Sequence, residues 1–222
     1  MPAESPLRDG DAPGYSLIET LRWEPQSGFL RLDRHLARLS ASATALGFRH
    51  DTDAAGAALL SAVKDASAPQ RVRLTLVADG SVAAAAQPFQ PLPDNTVWTL
   101  RLARAQLSSR DALLRYKTSR RDVYQQARAE YAAAEADEML LANERGEICE
   151  GTITNLFIDA GEGGTLVTPA LTCGLLPGIL RGELLDQGRA REAVLTLRDL
   201  TAAKQLYAGN SLRGLIAARL SR

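Results

Sequence analysis

The chain has 222 residues, 26 basic and 26 acidic side chains and two cysteines, enough length for one large domain or two small ones with a sizeable core. Balanced charge disfavours a protein that lives on nucleic-acid phosphates, and no apolar run approaches the roughly 20 residues that a bilayer requires. Cys149 and Cys173 stand far apart without a CxxC pair and read as reduced thiols of a cytoplasmic protein, and with only His35 and His50 beside scattered acids no metal cage is expected.

Residues 1–13 are polar and Pro-rich, a loose lead-in with no apolar core of the kind a signal peptide needs. Tyr15–Trp23 alternates as a strand, Pro25–Gly28 turns, and Phe29–Leu32 reads as a short return strand. Asp33 is expected to cap a helix whose apolar positions are Leu36, Leu39, Ala43 and Leu46, with Gly47 as its stop. Asp51 or Asp53 opens a second helix over Ala54–Ala66. Arg71–Ala86 is a hairpin about Asp79-Gly80, and Thr96–Ala103 is one more strand. The first half therefore reads as a small antiparallel sheet with helices. Gln106–Ala112 is the linker candidate.

Asp122–Ala136 is helix-compatible. Glu138–Ile158 reads as two strands about a tight turn at Asn143–Gly146, and Gly161–Gly164 as another turn before the strand Thr165–Thr168. A helix runs from Pro177-Gly178 to about Gln187, a strand follows at Ala193–Leu197, Asp199 caps a short helix, and Gln205–Asn210 is strand-like with an apolar tail after it.

Four stretches have the residue types for chemistry, each with a bland alternative. Pro177-Gly178 is an ordinary helix start or an anion cradle, in which the first amides, Ile179 and Leu180, face a phosphate. Arg38, at the edge of an apolar helix stripe, either snorkels to water or aims its planar fork at a phosphate. Glu150 in "EICEGTITNLF" is either solvent-facing by alternation or a fixed negative charge in a site. In "LLRYKTSRRDVY", Lys117 belongs to a solvated cationic face, or its ammonium is destabilised by neighbouring Arg120 and Arg121 and its amine can attack a carbonyl.

Taken in order, Arg38, Lys117, Glu150 within "EGTITNLF", "TPALTCGLLPGILR" and "GNSLRG" resemble the class IV aminotransferases, the fold-type IV pyridoxal 5'-phosphate (PLP) enzymes, from about Tyr15 to the C-terminus. Within that family the blocks are most like those of the 4-amino-4-deoxychorismate lyases. The resemblance implies an α/β (α+β) chain of two domains with the D-amino acid aminotransferase-like fold. These are an N-terminal α+β domain over residues 1–105 and a C-terminal α/β barrel-like domain over residues 106–222 that carries the lysine, with PLP in the cleft between them. It implies that Lys117 binds PLP covalently and moves protons, and that Glu150 pairs with the pyridine nitrogen. Arg38, the Ile179 and Leu180 amides and Ser211 would hold the 5'-phosphate. Asn155, Arg121 and Arg213 are candidate substrate-binding residues, the two arginines by charge matching to a carboxylate.

The reaction implied is cleavage of 4-amino-4-deoxychorismate to 4-aminobenzoate and pyruvate, in folate biosynthesis. The alternative is transamination of branched-chain or D-amino acids. A cytoplasmic homodimer is implied, with a small-molecule substrate, an aminodeoxychorismate synthase as a possible partner, and neither nucleic acid nor membrane. The sequence departs from the family pattern at Asp9–Pro13, where a Gly-Asp-Gly type turn is usual, and at Arg120-Arg121, where transaminases often carry Asn-Tyr.

Overall fold

Alternation of apolar side chains makes Leu17–Glu24 a strand, β1, which turns back through the two-residue β2 (Gly28–Phe29). The structure, a computed structural model, describes residues 14–161 and 163–221; the expected lead-in with Asp9–Pro13, and Glu162 of the glycine turn, lie outside the described residues. After β2 come helices α1 (Leu32–Leu46) and α2 (Thr52–Val63), then the hairpin of β3 (Gln70–Leu76) and β4 (Val82–Pro88). The sheet order is β2-β1-β3-β4, all antiparallel. Leu17, Leu21, Val72, Leu74 and Leu76 form the floor of its core, and Leu39, Ala43, Leu59 and Val63 of the two helices cover it. This compact unit runs to Gln90 and also takes in Lys117–Arg120. Those residues are stitched to the start of β1: Ile18 N–H donates to the Lys117 carbonyl (2.9 Å), Ser119 N–H to Ser16 O (2.8 Å), and Leu17 bridges Thr118.

The second unit holds Pro91–Tyr116 and continues from Arg121. Its elements are β5 (Val97–Leu107), α3 (Asp122–Ala129), β6 (Glu138–Asn143), β7 (Ile148–Gly151), β8 (Asn155–Asp159) and β9 (Leu166–Pro169). There follow α4 (Ile179–Asp186), β10 (Ala190–Ala193), α5 (Leu197–Ala202), β11 (Gln205–Asn210) and β12 (Gly214–Leu220). One mixed eight-stranded sheet runs β10-β9-β8-β11-β12-β5-β6-β7, parallel at β10–β9, β12–β5 and β5–β6. Strand β6 is buried along its whole length, as a strand packed on both faces must be.

Several elements differ from the sequence expectation, each for a local reason. Helix α1 starts at Leu32 behind a left-handed Arg31, so the expected return strand shrinks to β2, and Asp33 lies in the first turn rather than at the cap. Its carboxylate still meets the positive end of the helix dipole. Asp51 is the cap of α2, accepting from Asp53 N–H and Ala54 N–H. Strand β5 runs on to Leu107, taking up the first residues of the linker candidate, and it pairs in the eight-stranded sheet. Helix α3 ends at Ala129, short of the expected Ala136, because the Glu130 carboxylate turns aside to accept the Arg104 and Ala105 amides (2.6 and 2.8 Å). The strand expected through Glu147–Ile158 is broken at residues 152–154 into β7 and β8. β10 lies earlier than the expected Ala193–Leu197, since parallel pairing with β9 sets its register. Thr196 caps α5, with Asp199 as its capping-box partner rather than the cap itself. The apolar tail is β12.

Candidate active site

In the first unit, β1 alternation puts Glu19 on the same face as Leu17 and Leu21, the face covered by α1. A carboxylate there must find donors. Two come from α1, where His35 and Arg38 lie three residues apart on one helix face. Arg38 Nε donates to Glu19 Oε1 (2.8 Å) and Nη2 to Oε2 (2.6 Å), while His35 Nδ1 lies 2.7 Å from Oε2. Burial opposes the Glu19 charge, yet the charge of Arg38 and hydrogen bonds from His35 and Arg38 overcome it and hold the carboxyl down at about 2. Burial pushes the His35 imidazole below its ordinary value against the pull of Glu19, and Arg38 and Lys117 add to the lowering. The imidazole is therefore neutral, and Nδ1 carries the proton, because a carboxylate can only accept. Arg38 is thus held in a two-bond fork by a fixed anion, the kind of fixing an arginine needs to present its charge in one direction. Lys117 is half-buried in the same unit, while Arg115 and Arg120 are exposed.

In the second unit, Glu150 on β7 is buried, not solvent-facing. Tyr124 of α3 donates its hydroxyl to Glu150 Oε1 (2.8 Å), and Asn155 Nδ2 approaches Oε2 at 3.4 Å. Asn155 also donates to the Leu176 carbonyl (3.0 Å), so one amide ties Glu150 to the approach to α4. At the N-cap of α4, a Cβ on Gly178 would lie 1.9 Å from Asn155 Oδ1, which only glycine permits. Ile179 and Leu180 follow as the first buried residues of that helix, where backbone amides have no partner within the helix. Ser211 is buried in the β11–β12 turn and Arg213 half-buried; this turn is anchored by Asn210, whose Nδ2 donates to Ile153 O (3.2 Å) and whose Oδ1 accepts Arg213 N–H (2.9 Å). Arg121 donates to the Thr152 carbonyl and stacks over the Tyr124 ring, 4.5 Å from its centroid.

The turn at residues 152–154 owes its shape to Glu138, which is fully buried. Oε1 accepts Thr152 N–H (3.0 Å) and the Thr152 hydroxyl (2.5 Å); Oε2 accepts Ile153 N–H (3.0 Å) and the Thr154 hydroxyl (3.0 Å). A Cβ on Gly151 would lie 2.4 Å from Thr154 Oγ1 and 2.8 Å from Glu138 Oε2. Glu138 therefore fixes the turn that joins β7, which carries Glu150, to β8, which begins at Asn155.

Glu19, His35, Tyr124 and Glu138 were not singled out from sequence. Glu19 had a signal: a carboxylate on the apolar face of an alternating strand. His35 stands three residues before Arg38 on the helix. Glu138 and Tyr124 had none, since their partners are fixed only by β6–β7 pairing and the packing of α3. Cys149 and Cys173 are buried free thiols. Burial pushes both upward, Cys173 to about 11, so neither is a nucleophile near neutral pH.

Within the first unit, a forked arginine suits a phosphate and a lysine amine suits an aldehyde; within the second, a buried carboxylate suits a pyridine nitrogen and an opened helix start suits a phosphate. The family model for class IV amino-transferases matches residues 16–220. The chain belongs to the class IV aminotransferase family. A Schizosaccharomyces pombe protein provisionally named an aminodeoxychorismate lyase is 31% identical over 89% of this chain and 86% of its own. A Mesorhizobium loti crystal structure, provisionally named an amino-acid aminotransferase, is 57% identical with a TM-score of 0.92, over 93% of this chain and all of that one. The 4-amino-4-deoxychorismate lyase of Pseudomonas aeruginosa is 25% identical with a TM-score of 0.80, over 92% and 82% of the two chains. As a class IV aminotransferase family member the protein is a PLP-dependent enzyme with the mixed α/β fold of that family. Among the described residues, no cluster of ligands for a metal ion is present and no helix is long and apolar enough to cross a membrane.

Proposed function

We propose that this enzyme converts 4-amino-4-deoxychorismate to 4-aminobenzoate and pyruvate. The observation that carries the reading is the lyase relative that is 31% identical across nearly the whole chain. PLP, when bound, supplies an electron sink for charge released next to the substrate amine. Lys117 Nζ would hold the cofactor's aldehyde in the absence of substrate, and the lysine amine would remove the proton from the substrate's ring carbon bearing nitrogen. The carbon–oxygen bond to the enolpyruvyl group breaks, and a proton returned to its terminal methylene, by Lys117 or water, completes pyruvate. Loss of that group leaves an aromatic ring, which makes the step effectively irreversible.

Glu150 would keep the pyridine nitrogen protonated, since a carboxylate at hydrogen-bond distance favours the charged ring. Arg38, the Ile179 and Leu180 amides and Ser211 would hold the phosphate. Arg213 is our candidate for a substrate carboxylate, whereas the engagement of Arg121 with Thr152 and Tyr124 favours an internal role for that residue. We further propose a cytoplasmic homodimer that takes its substrate from an aminodeoxychorismate synthase.

The M. loti relative favours a second reading, transamination of amino acids. Lys117, Glu150 and the groups proposed for the phosphate would serve either reaction. Incubation with aminodeoxychorismate, with assays for 4-aminobenzoate and pyruvate, decides between them. Release of both products in equal amounts supports the lyase. Amine transfer from amino acids to 2-oxoglutarate, without any aminobenzoate, overturns it.

A further inference from the structure

The hydroxyl of Tyr124 donates to a carboxylate, and that carboxylate is Glu150. Both groups are buried, Tyr124 in one apolar core with Ala127, Leu141 and Cys149, and Glu150 at a strand position paired with Leu141. Such surroundings push a carboxylate toward its neutral, protonated form. A protonated Glu150 could no longer favour the charge on a ring nitrogen; it would instead donate its own proton to a neutral ring. A donor fixed on Oε1 works against that outcome, because it stabilises the ionised form and has little to offer the neutral one. The guanidinium of Arg121 lies over the face of the Tyr124 ring and is itself held by the Thr152 carbonyl. A cation there draws electron density from the ring and makes its O–H a better donor.

We propose that Tyr124 is a positioning residue for the cofactor's ring nitrogen, its hydroxyl keeping Glu150 ionised while Arg121 polarises the phenol from above. This rests on the reading of Glu150 as the pyridine partner. The titratable and charged groups acting on the phenol are Glu150, Arg121 and Cys149; burial and the Glu150 charge push its own ionisation far above the ordinary tyrosine range, so it remains a donor at any working pH. Tyr124→Phe removes one oxygen and keeps the ring on which Arg121 stacks.

The readout is the pH titration of visible absorbance of the holoenzyme, which reports protonation of the covalent Lys117–cofactor linkage. Positive charge on the ring nitrogen lowers the proton affinity of that linkage; loss of the charge raises it. Tyr124→Phe is expected to raise the titration midpoint by about one pH unit, Glu150→Gln by more, and Arg121→Gln by less, in the same direction. Thermal unfolding of each apoprotein reports packing separately, since a merely structural tyrosine would lower the melting temperature and leave the midpoint in place. If Glu150→Gln shifts the midpoint and Tyr124→Phe does not, the inference fails while the Glu150 assignment stands. If Glu150→Gln has no effect, the Glu150 assignment fails and the inference with it. Should Tyr124→Phe not be recovered folded, Arg121→Gln decides: an upward shift supports the relay, and no shift overturns it.

Discussion

Glu19 on β1 and Glu138 on β6 are both buried strand carboxylates, and their surroundings answer the burial differently. Glu19 meets a guanidinium and an imidazole. Glu138 meets the backbone amides and threonine hydroxyls of one tight turn and the neighbouring Met139 amide (2.9 Å), with the half-exposed Arg128 only at 3.4 Å. A carboxylate solvated by neutral donors of one loop fixes the shape of that loop. One paired to a guanidinium, with a neutral imidazole beside it, fixes the direction in which that single cation faces a ligand's phosphate. The first arrangement is a clamp, the second a mount, and substitutions should separate the two.

The largest effect is expected from Glu138→Gln. Whichever way the amide is turned, its NH2 group faces either Thr152 N–H or Ile153 N–H, so a donor meets a donor in a site closed to water. Breaking a buried charge-assisted cluster of this kind costs about 3–5 kcal/mol. Chemical denaturation of the apoprotein should show that loss. Retention of wild-type stability would mean that the turn does not depend on the clamp.

Glu19→Gln should cost somewhat less stability, about 2–3 kcal/mol, because water reaches part of Arg38. Its distinguishing effect lies elsewhere: PLP affinity should fall roughly tenfold or more as Arg38 loses its fork, while the Glu138→Gln variant is limited first by folding. Equilibrium dialysis against PLP at a temperature where both variants are folded separates them. Undiminished affinity in Glu19→Gln would remove the mount from the phosphate site. Gly178→Ala is a smaller perturbation, made in the second unit at the α4 start that we propose binds the phosphate. Its Cβ displaces Asn155 Oδ1, so PLP affinity should fall several-fold with stability changed by about 1–2 kcal/mol.

How far the sequence carried the reading follows the same division. The mount was half legible: Arg38 stood out beside an apolar stripe, and Glu19 carried the signal of a charge on a buried strand face, though only the pairing of α1 with β1 joins them. Glu150 stood out as a carboxylate among the apolar and threonine residues of a strand, and the α4 start was legible because Pro-Gly is an ordinary helix entry. The clamp was not, since "DEMLL" reads as an ordinary strand start and the donors of Glu138 come from a turn that its own carboxylate creates. That circularity also explains why one strand was expected where β7 and β8 stand. The ends of α3 and β10 were misplaced for a related reason, since a long-range acceptor, Glu130, and a parallel register set them, and neither leaves a periodic trace.

The smallest effect tests the mount alone and depends on pH. His35 binds a proton less readily in the folded protein than at its ordinary value of 6.5, so the unfolded chain holds more protons below that value. Its contribution to stability is fully present above pH 6.5 and is lost as pH falls toward the lowered folded value. Glu19 adds a second loss in the same direction, present above its ordinary 4.5 and lost as pH falls toward about 2. Wild-type stability should therefore decline in two stages on acidification. His35→Asn keeps a neutral N–H donor near the Nδ1 position and has no proton to take up. In that variant the first stage, which begins as pH falls below 6.5, should vanish while the second remains. Urea unfolding at a series of pH values measures both stages. Persistence of the first stage in His35→Asn would place the titrating group elsewhere and leave His35 as a packing residue.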